Sequence, residues 1–299
     1  MLNRQQGAFR VPSSVWSVNR VWSLPASADG ELKQTAMETT RRKQWMQGAV
    51  EAARIGGQIL LDWTGQFSVR EKSRANLVTD ADLASQAAIL QHLKGLFPDH
   101  GFLGEENLNL RTAGTSESET FWIIDPLDGT SNYVHGFPYF AVSIGLYSHG
   151  DLQAAAIFDP TRNDMFAAAR GLGATLNGKP ISTSQQEDIE RAMGVASLPI
   201  TPSPDHPAIR RFLKALGQMQ TVQRTGSAAL NLAYLAAGRL DAFWSTNLSP
   251  WDIAAGVLIV QEAGGIVTNL KGEQIDIFVP DLLATASQTL HQQVCSELA

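Results

Sequence analysis

The chain has 299 residues, 44% hydrophobic and 17% charged, enough to bury a core as one or two lobes. A formal net charge of -6 argues against a broad nucleic-acid surface, and the six histidines show no paired zinc spacing. One cysteine, Cys295, excludes an internal disulfide and fits a reducing compartment, and no apolar run approaches the ~20 residues of a membrane helix.

Arg4, Arg10 and Arg20 precede the first acid, Asp29, in a Ser- and Trp-rich opening without helical period or secretory h-region. It reads either as an organellar targeting segment or as an upstream extension of a chain whose order begins near Met37. The expectation is a poorly ordered extension, residues 1–38, ahead of one domain, 39–299. From Arg42 to Thr64 Met46, Val50, Ala53, Ile59 and Leu60 recur at helical spacing. A short strand at Phe67–Arg70 follows. Thr79 or Asp80 then caps a helix to Phe97, with Leu83, Ala87, Leu90, Leu93 and Leu96 on its buried side. Gly101–Gly104 is a short strand ending in Glu105-Glu106, and residues 107–119 read as a polar loop.

The run Trp122-Ile123-Ile124 ends in Asp125, and Pro126 disfavours helix before it, so Asp125 closes a strand. Asp128 follows, Gly129 frees a sharp turn, and Thr130, Ser131 and Asn132 are helix starters. Two carboxylates and the Leu127 carbonyl thus share one side of a turn beside free backbone amides. Hard oxygens suit Mg²⁺, and amides at a helix start suit phosphate. Seen alone, such Asp-Pro and Asp-Gly pairs are common turn formers.

Strands dominate next: Phe140–Tyr147, a turn at His149-Gly150-Asp151, Leu152–Phe158, Met165–Ala169 and a hairpin about Asn177-Gly178. Prolines 199, 202, 204 and 207 mark a loop or lobe boundary, near 185–207. Helices follow at Ile209–Leu216, from Gly226-Ser227 to Ala237, and from Pro250 to Ala263, with strands at Leu240–Trp244, Ile266–Thr268 and Leu282–Ala286 before a terminal helix. Hairpins mixed with long helices give an α+β fold of layered sheets and helices, not a regular βαβ series.

Acids recur where elements end: Asp82 and Asp252 in first helical turns, Glu105, Asp125 and Asp128 at strand ends. Asp82 and Asp252 have a second explanation as complements to a helix dipole. Metal-assisted phosphoryl hydrolysis needs several carboxylates around two cations with a phosphate cradle beside them.

Gly104-Glu105-Glu106, Asp125-Pro126-Leu127-Asp128-Gly129-Thr130 and Trp251-Asp252-Ile253-Ala254-Ala255-Gly256 resemble, in order and spacing, the motifs of the inositol monophosphatase family. The resemblance covers roughly residues 42–295 and implies the layered α-β-α-β-α sandwich of the inositol monophosphatase and fructose-1,6-bisphosphatase type. It implies a lithium-sensitive, cytoplasmic homodimer acting on a small phosphate monoester, without nucleic acid or membrane. Glu105, Asp125 and the Leu127 carbonyl would hold one Mg²⁺; Asp125, Asp128 and Asp252 would hold a second; a weaker third would sit near Glu105. Glu105 and Thr130 would orient the attacking water, with Lys72 and Asp82 in a loop that helps close the site. Asp128, Gly129, Thr130, Ser131, Gly226, Ser227, Ala228 and Asp252 would contact substrate. One departure is Ser245, where inositol-specific relatives often carry Glu against substrate hydroxyls. Inositol monophosphate is the substrate expected first, histidinol phosphate and sugar bisphosphates next, and a non-catalytic regulatory protein is the alternative of another class.

Overall fold

Small side chains set the first layer. The computed structural model describes residues 28–73, 76–106, 108–110, 120–199, 203–279 and 281–298. Helix α1 (Ala28–Asp62) buries Ala49, Ala52, Ala53 and Leu60. A Cβ on Gly56 would stand 2.7 Å from Ile89 Cδ1, and one on Gly57 2.4 Å from Phe158 Cδ1, so the helix lies directly on its neighbours. It starts at Ala28 rather than Arg42. Glu31, Leu32, Lys33 and Gln34 are strong helix formers that carry no apolar period. Residues 1–27, most of the expected extension, lie outside the described residues.

Strands β1 (Val69–Ser73) and β2 (Asn76–Thr79) form an antiparallel pair, and Thr79 caps α2 (Asp80–Leu96). The buried face of α2 differs from the apolar reading. Leu83 and Leu96 are exposed, whereas Asp82, Ser85, Gln86, Ile89 and Leu93 face inward. Polar residues fit there because partners wait for them. Ser85 Oγ donates to the Pro126 carbonyl at 3.0 Å, and Gln86 Nε2 to the Glu106 carbonyl at 3.3 Å.

The central layer is an eight-stranded sheet. Its members are β3 (Gly101–Gly104), β4 (Leu108–Leu110), β5 (Phe121–Asp128), β6 (Ala141–Ser148), β7 (Asp151–Asp159), β8 (Asp164–Ala169), β9 (Ala174–Leu176) and β10 (Lys179–Pro180), in the order β10-β9-β8-β7-β6-β5-β3-β4. Only β3 and β5 pair in parallel; the other neighbours are antiparallel. His149 (φ 51°) with Gly150 (φ 83°), and Asn177 (φ 51°) with Gly178 (φ 75°), close two hairpins with the positive φ pairs that match strand twist. Leu108–Leu110 is an edge strand where a polar loop was expected. The strand that closes on Asp125 in the sequence reading continues to Asp128. Pairing jumps from Asp125↔Ser143 to Asp128↔Ala141, a bulge that accommodates Pro126 where no ladder N–H is required.

A short helix, α3 (Thr130–Val134), leaves β5. After β10 the chain changes sheet. Strands β11 (Met193–Ala196), β12 (Thr221–Gln223), β13 (Ala242–Ser245), β14 (Ile266–Thr268) and β15 (Leu282–Thr285) pair in the order β12-β11-β13-β15-β14. Strands β11 and β12 are too short for a visible alternation. Helices α4 (Pro207–Leu216) and α7 (Gln288–Leu298) cover the outer face, and α5 (Ala228–Ala236) and α6 (Pro250–Glu262) fill the space between the sheets. Leu230, Leu232, Ile253 and Val257 of the inner helices join Ile123, Ile157 and Phe166 of one sheet and Phe243 and Ala284 of the other in one buried cluster. The result is a five-layer α-β-α-β-α sandwich. No described helix is long and apolar enough to cross a membrane.

Candidate metal centre and catalytic site

Parallel pairing of β3 with β5 sets Gly104 beside Ile124, so Glu105, just past the end of β3, lies at the level of Asp125 on β5. Asp125 Oδ1 accepts the Leu127 amide at 3.0 Å, which folds the bulge back on itself. Gly129 follows at φ 94°, where a Cβ would stand 3.0 Å from the Tyr139 carbonyl oxygen; only glycine fits both constraints. Thr130 Oγ1 then donates to the Leu127 carbonyl at 3.2 Å.

Asp128 is anchored from the far half of the chain. Its Oδ2 accepts Ser227 Oγ and, at 2.7 Å, the Ala229 amide, at the start of α5. Asp252 is the third residue of α6, and its Oδ2 accepts the Ser249 amide at 2.6 Å. One oxygen therefore caps the helix while the other is available to the site. Ser143, opposite Asp125 on β6, donates to the Trp251 carbonyl at 3.3 Å and ties the first turn of α6 to the sheet. Beside it, a Cβ on Gly145 would stand 3.2 Å from Ala254 Cβ, so α6 rests directly on the strand. The outcome is one oxygen each of Asp125, Asp128 and Asp252 within 4.8 Å of one another.

Burial of like charges dominates the electrostatics. Asp125 is pushed well above the usual carboxylate range, first by burial and then by Glu105, Asp128 and Asp252. Burial raises Asp128 to about 6 against the pull of Ser227 and the amides of Ala229 and Ala228. Burial and then Asp128 raise Asp252 to about 8. Such a group of hard anionic oxygens fits divalent cations, which remove the mutual repulsion when bound. Glu105 stands outside the tight trio yet raises all three aspartates, so it faces the same space. Asp82 is fully buried. Its Oδ2 accepts the Thr79 amide at 2.8 Å and the Thr79 hydroxyl, and its Oδ1 has no partner among the described residues. Burial, opposed by Thr79 and aided by Glu106 and Glu105, lifts it to about 6.

A cavity of about 470 Å³ opens beside the trio. Asp128, Ser131, Gly226, Ala228 and Asp252 line it, as do Asn132, Ser197, Arg224 and Asn247, which sequence reasoning did not single out. Gly129 and Thr130 lie in the turn just before Ser131. Ser245 is not in the lining. It is 2% exposed, and its Oγ accepts the Asn247 amide at 3.3 Å, so Asn247 reaches the cavity where Ser245 was expected. Lys72 falls on β1, and its side chain lies outside what the structure describes. Asn132 Nδ2 donates to the Tyr139 carbonyl at 2.7 Å and the Thr225 carbonyl at 2.9 Å, joining α3 to the turn before α5. Nothing in the local pattern around Asn132 or Ser143 announces these long-range bonds.

The sequence matches the inositol monophosphatase family over residues 41–299. The chain belongs to the inositol monophosphatase family. Within it, a Pseudomonas aeruginosa relative named Nus factor SuhB is 40% identical, across 75% of this chain and 84% of the relative. The inositol-1-monophosphatase of Caulobacter vibrioides is 37% identical, across 83% of this chain and 98% of that one. The solved inositol monophosphatase of Anabaena superposes with a TM-score of 0.77 at 37% identity, covering 86% of this chain and 95% of that structure. Family membership and these relatives indicate a phosphatase of the inositol monophosphatase type, and the acidic trio is its candidate metal-holding set.

Proposed function

We propose that the chain is a Mg²⁺-dependent phosphomonoesterase that hydrolyses a small polyol phosphate, inositol monophosphate first among candidates. The observation that carries this reading is the convergence of Asp125, Asp128 and Asp252 from β5 and α6 onto one point, beside a ligand-sized cavity. In this reading Glu105, Asp125 and the Leu127 carbonyl would hold one cation, and Asp125, Asp128 and Asp252 would hold the other. Bound Mg²⁺ supplies the positive charge that acidifies water and polarises a phosphoryl oxygen. The protein's own residues do the positioning. Glu105 and Thr130 orient the attacking water, and the Gly129 and Thr130 amides receive the phosphate oxygens. The water oxygen bonds to phosphorus as the bond between phosphorus and the ester oxygen breaks, and the alcohol leaves into the cavity carrying the proton that the water gives up. The domain proposed for this work is 39–299, preceded by a dispensable extension, and a homodimer is the proposed assembly.

A second reading rests on the names of relatives called Nus factor SuhB: a regulatory binding protein on the same fold. Measuring phosphate release separates the two. The panel is inositol 1-phosphate, histidinol phosphate, fructose 1,6-bisphosphate and 3′-phosphoadenosine 5′-phosphate, each with Mg²⁺ and with chelator. Turnover that needs Mg²⁺ supports the enzyme. Absence of turnover on every member at millimolar Mg²⁺ removes it and leaves the regulator.

A further inference from the structure

The cavity is lined by more than the acidic residues. Strands β12, β11 and β13 lie side by side and run parallel, so the residues after their carboxyl ends gather at one edge. Ser197 follows β11, Arg224 follows β12 and Asn247 lies just beyond β13, and all three line the cavity. Such an edge is where open sheets bind ligands. Arg224 is exposed and, among the described residues, has no ion pair and is the one basic residue in that lining. Its backbone is held. Asn132 takes the carbonyl of Thr225, and Gly226 at φ 92° packs against the Asn132 amide, where a Cβ would stand 2.9 Å from Nδ2.

Charge accounting gives this arginine a meaning. In the proposed reading the phosphate being hydrolysed is received by the cations and by the Gly129 and Thr130 amides, so Arg224 is not needed to hold it. Among the described residues the only acids in the cavity lining are Asp128 and Asp252, both assigned to the metals in that reading. A neutral polyol leaving group would place hydroxyls against a guanidinium that keeps its full charge. A leaving group with its own anion would pair with it, and bidentate geometry makes arginine selective for phosphate and carboxylate.

Building on the phosphatase reading, we infer that Arg224 recognises a second anionic group on the leaving alcohol, so that among small polyol phosphates the esters carrying another phosphate or a carboxylate rank ahead of the inositol monophosphate that the family membership alone puts first. Matched pairs that share a scissile ester test it: glycerol 2-phosphate against 2-phosphoglycerate, and fructose 1-phosphate against fructose 1,6-bisphosphate with only hydrolysis at C1, read as fructose 6-phosphate, counted. The pairs separate a second phosphate from a carboxylate as the preferred anion. Each is run on the full chain with Mg²⁺, on wild type, Arg224→Ala, Arg224→Lys and Arg224→Glu. The expected result is a wild-type kcat/KM ratio favouring the doubly anionic member of at least one pair. That ratio falls about tenfold or more in Arg224→Ala, mainly through KM, is partly kept in Arg224→Lys and is inverted in Arg224→Glu. The wild-type preference also weakens as salt rises. Equal loss on both members of each pair overturns the inference and assigns Arg224 to the scissile phosphate. An unchanged ratio overturns it too. Wild type that releases phosphate from no member overturns the phosphatase reading itself, which is a different result from a ratio that fails to move.

Discussion

Ser227 Oγ donates a hydrogen bond to Asp128 Oδ2 across 99 residues of sequence, and both side chains are buried. Ser227 also caps α5 by accepting the Leu230 amide at 3.2 Å. The bond favours ionised Asp128 against the burial that lifts it to about 6. Ser227→Ala removes the donor and leaves Asp128 harder to ionise and less well oriented. The Mg²⁺ concentration for half-maximal activity should rise roughly 10–100-fold, the usual penalty for losing a group that orients a metal ligand. Ser227→Thr should keep most of the affinity. An alanine variant with wild-type Mg²⁺ dependence would show that the Ala229 and Ala228 amides suffice.

Asp125→Asn keeps the shape of the bulge but removes the charge at its centre. Without metal, Asp125 sits buried against Glu105, Asp128 and Asp252, so the native protein carries unrelieved repulsion. Two effects of opposite sign follow. Metal-free Tm of the variant should equal or exceed that of wild type. The Tm gain on adding Mg²⁺ should vanish, and turnover should fall by on the order of 10²–10³ or more, as for loss of a charge-stabilising group at a reacting centre. Differential scanning fluorimetry with and without Mg²⁺, beside a phosphate-release assay, reads both. A variant that keeps the Mg²⁺-induced shift sinks the shared-ligand assignment.

Much of the layout is legible because its causes are local. The turn at Gly129, the helix starts at Thr79 and Ser227, the hairpins at His149-Gly150 and Asn177-Gly178 all follow from backbone demands of nearby residues. The exceptions have long-range causes. Asp82, Ser85 and Gln86 read as a polar helix face, yet they are buried because Thr79, the Pro126 carbonyl and the Glu106 carbonyl meet them there. Pro126 reads as a strand terminator until the bulge against β6 gives it a place without a ladder bond. Ser245 reads as a substrate contact from the position it occupies in the motif order. The strand turns it inward instead, and its hydroxyl serves the Asn247 amide. Arg224 and Asn247 are visible as residues but not as neighbours, since only the parallel order β12-β11-β13 brings their loops together.

His100 offers a pH test of the first layer. Its ring stacks on Phe97 at 5.1 Å between centroids and lies 5.9 Å from Trp122, with Nδ1 unpartnered among the described residues. Burial lowers it from 6.5 to about 4. The unfolded chain therefore takes up a proton near pH 6.5, while the folded one resists until about pH 4. The neutral ring contributes its full share of stability above pH 6.5, and that share is lost as pH falls from 6.5 toward 4. His100→Phe keeps the stacking and removes the titration. The Tm of wild type relative to His100→Phe should drop across that window and stay level above it. Parallel curves from pH 7 to 4 would mean that the ring protonates in place without strain.

The spacing of α5 and α6 is set at Gly256, and two candidate metal ligands depend on it. A Cβ there would stand 2.4 Å from Leu232 Cδ1 and 2.5 Å from Leu232 Cβ, and Leu232 is fully buried. The second atom is the stem of the side chain, so a rotamer change cannot make room and α5 has to move. Gly256→Ala gains about 0.5–1 kcal/mol of helix propensity. Overpacking costs about 1–3 kcal/mol, so destabilisation should win. The displacement also has a direction. Helix α5 carries the Ser227 and Ala229 donors that hold Asp128, and α6 carries Asp252, so pushing the helices apart separates two corners of the trio. Mg²⁺ affinity, read by isothermal titration, should therefore fall together with Tm in Gly256→Ala. Adding Leu232→Gly removes the obstructing Cβ together with the methyl groups. The double variant should regain Mg²⁺ affinity even though truncating Leu232 costs stability, about 2–5 kcal/mol for the cavity it leaves and about 0.5–1 kcal/mol more for glycine in a helix. Recovery of binding without recovery of Tm is the expected signature, because it separates the geometry of the site from the stability of the fold. If Gly256→Ala lowers Tm while Mg²⁺ affinity stays at the wild-type value, the helix spacing does not set the distance between the aspartates.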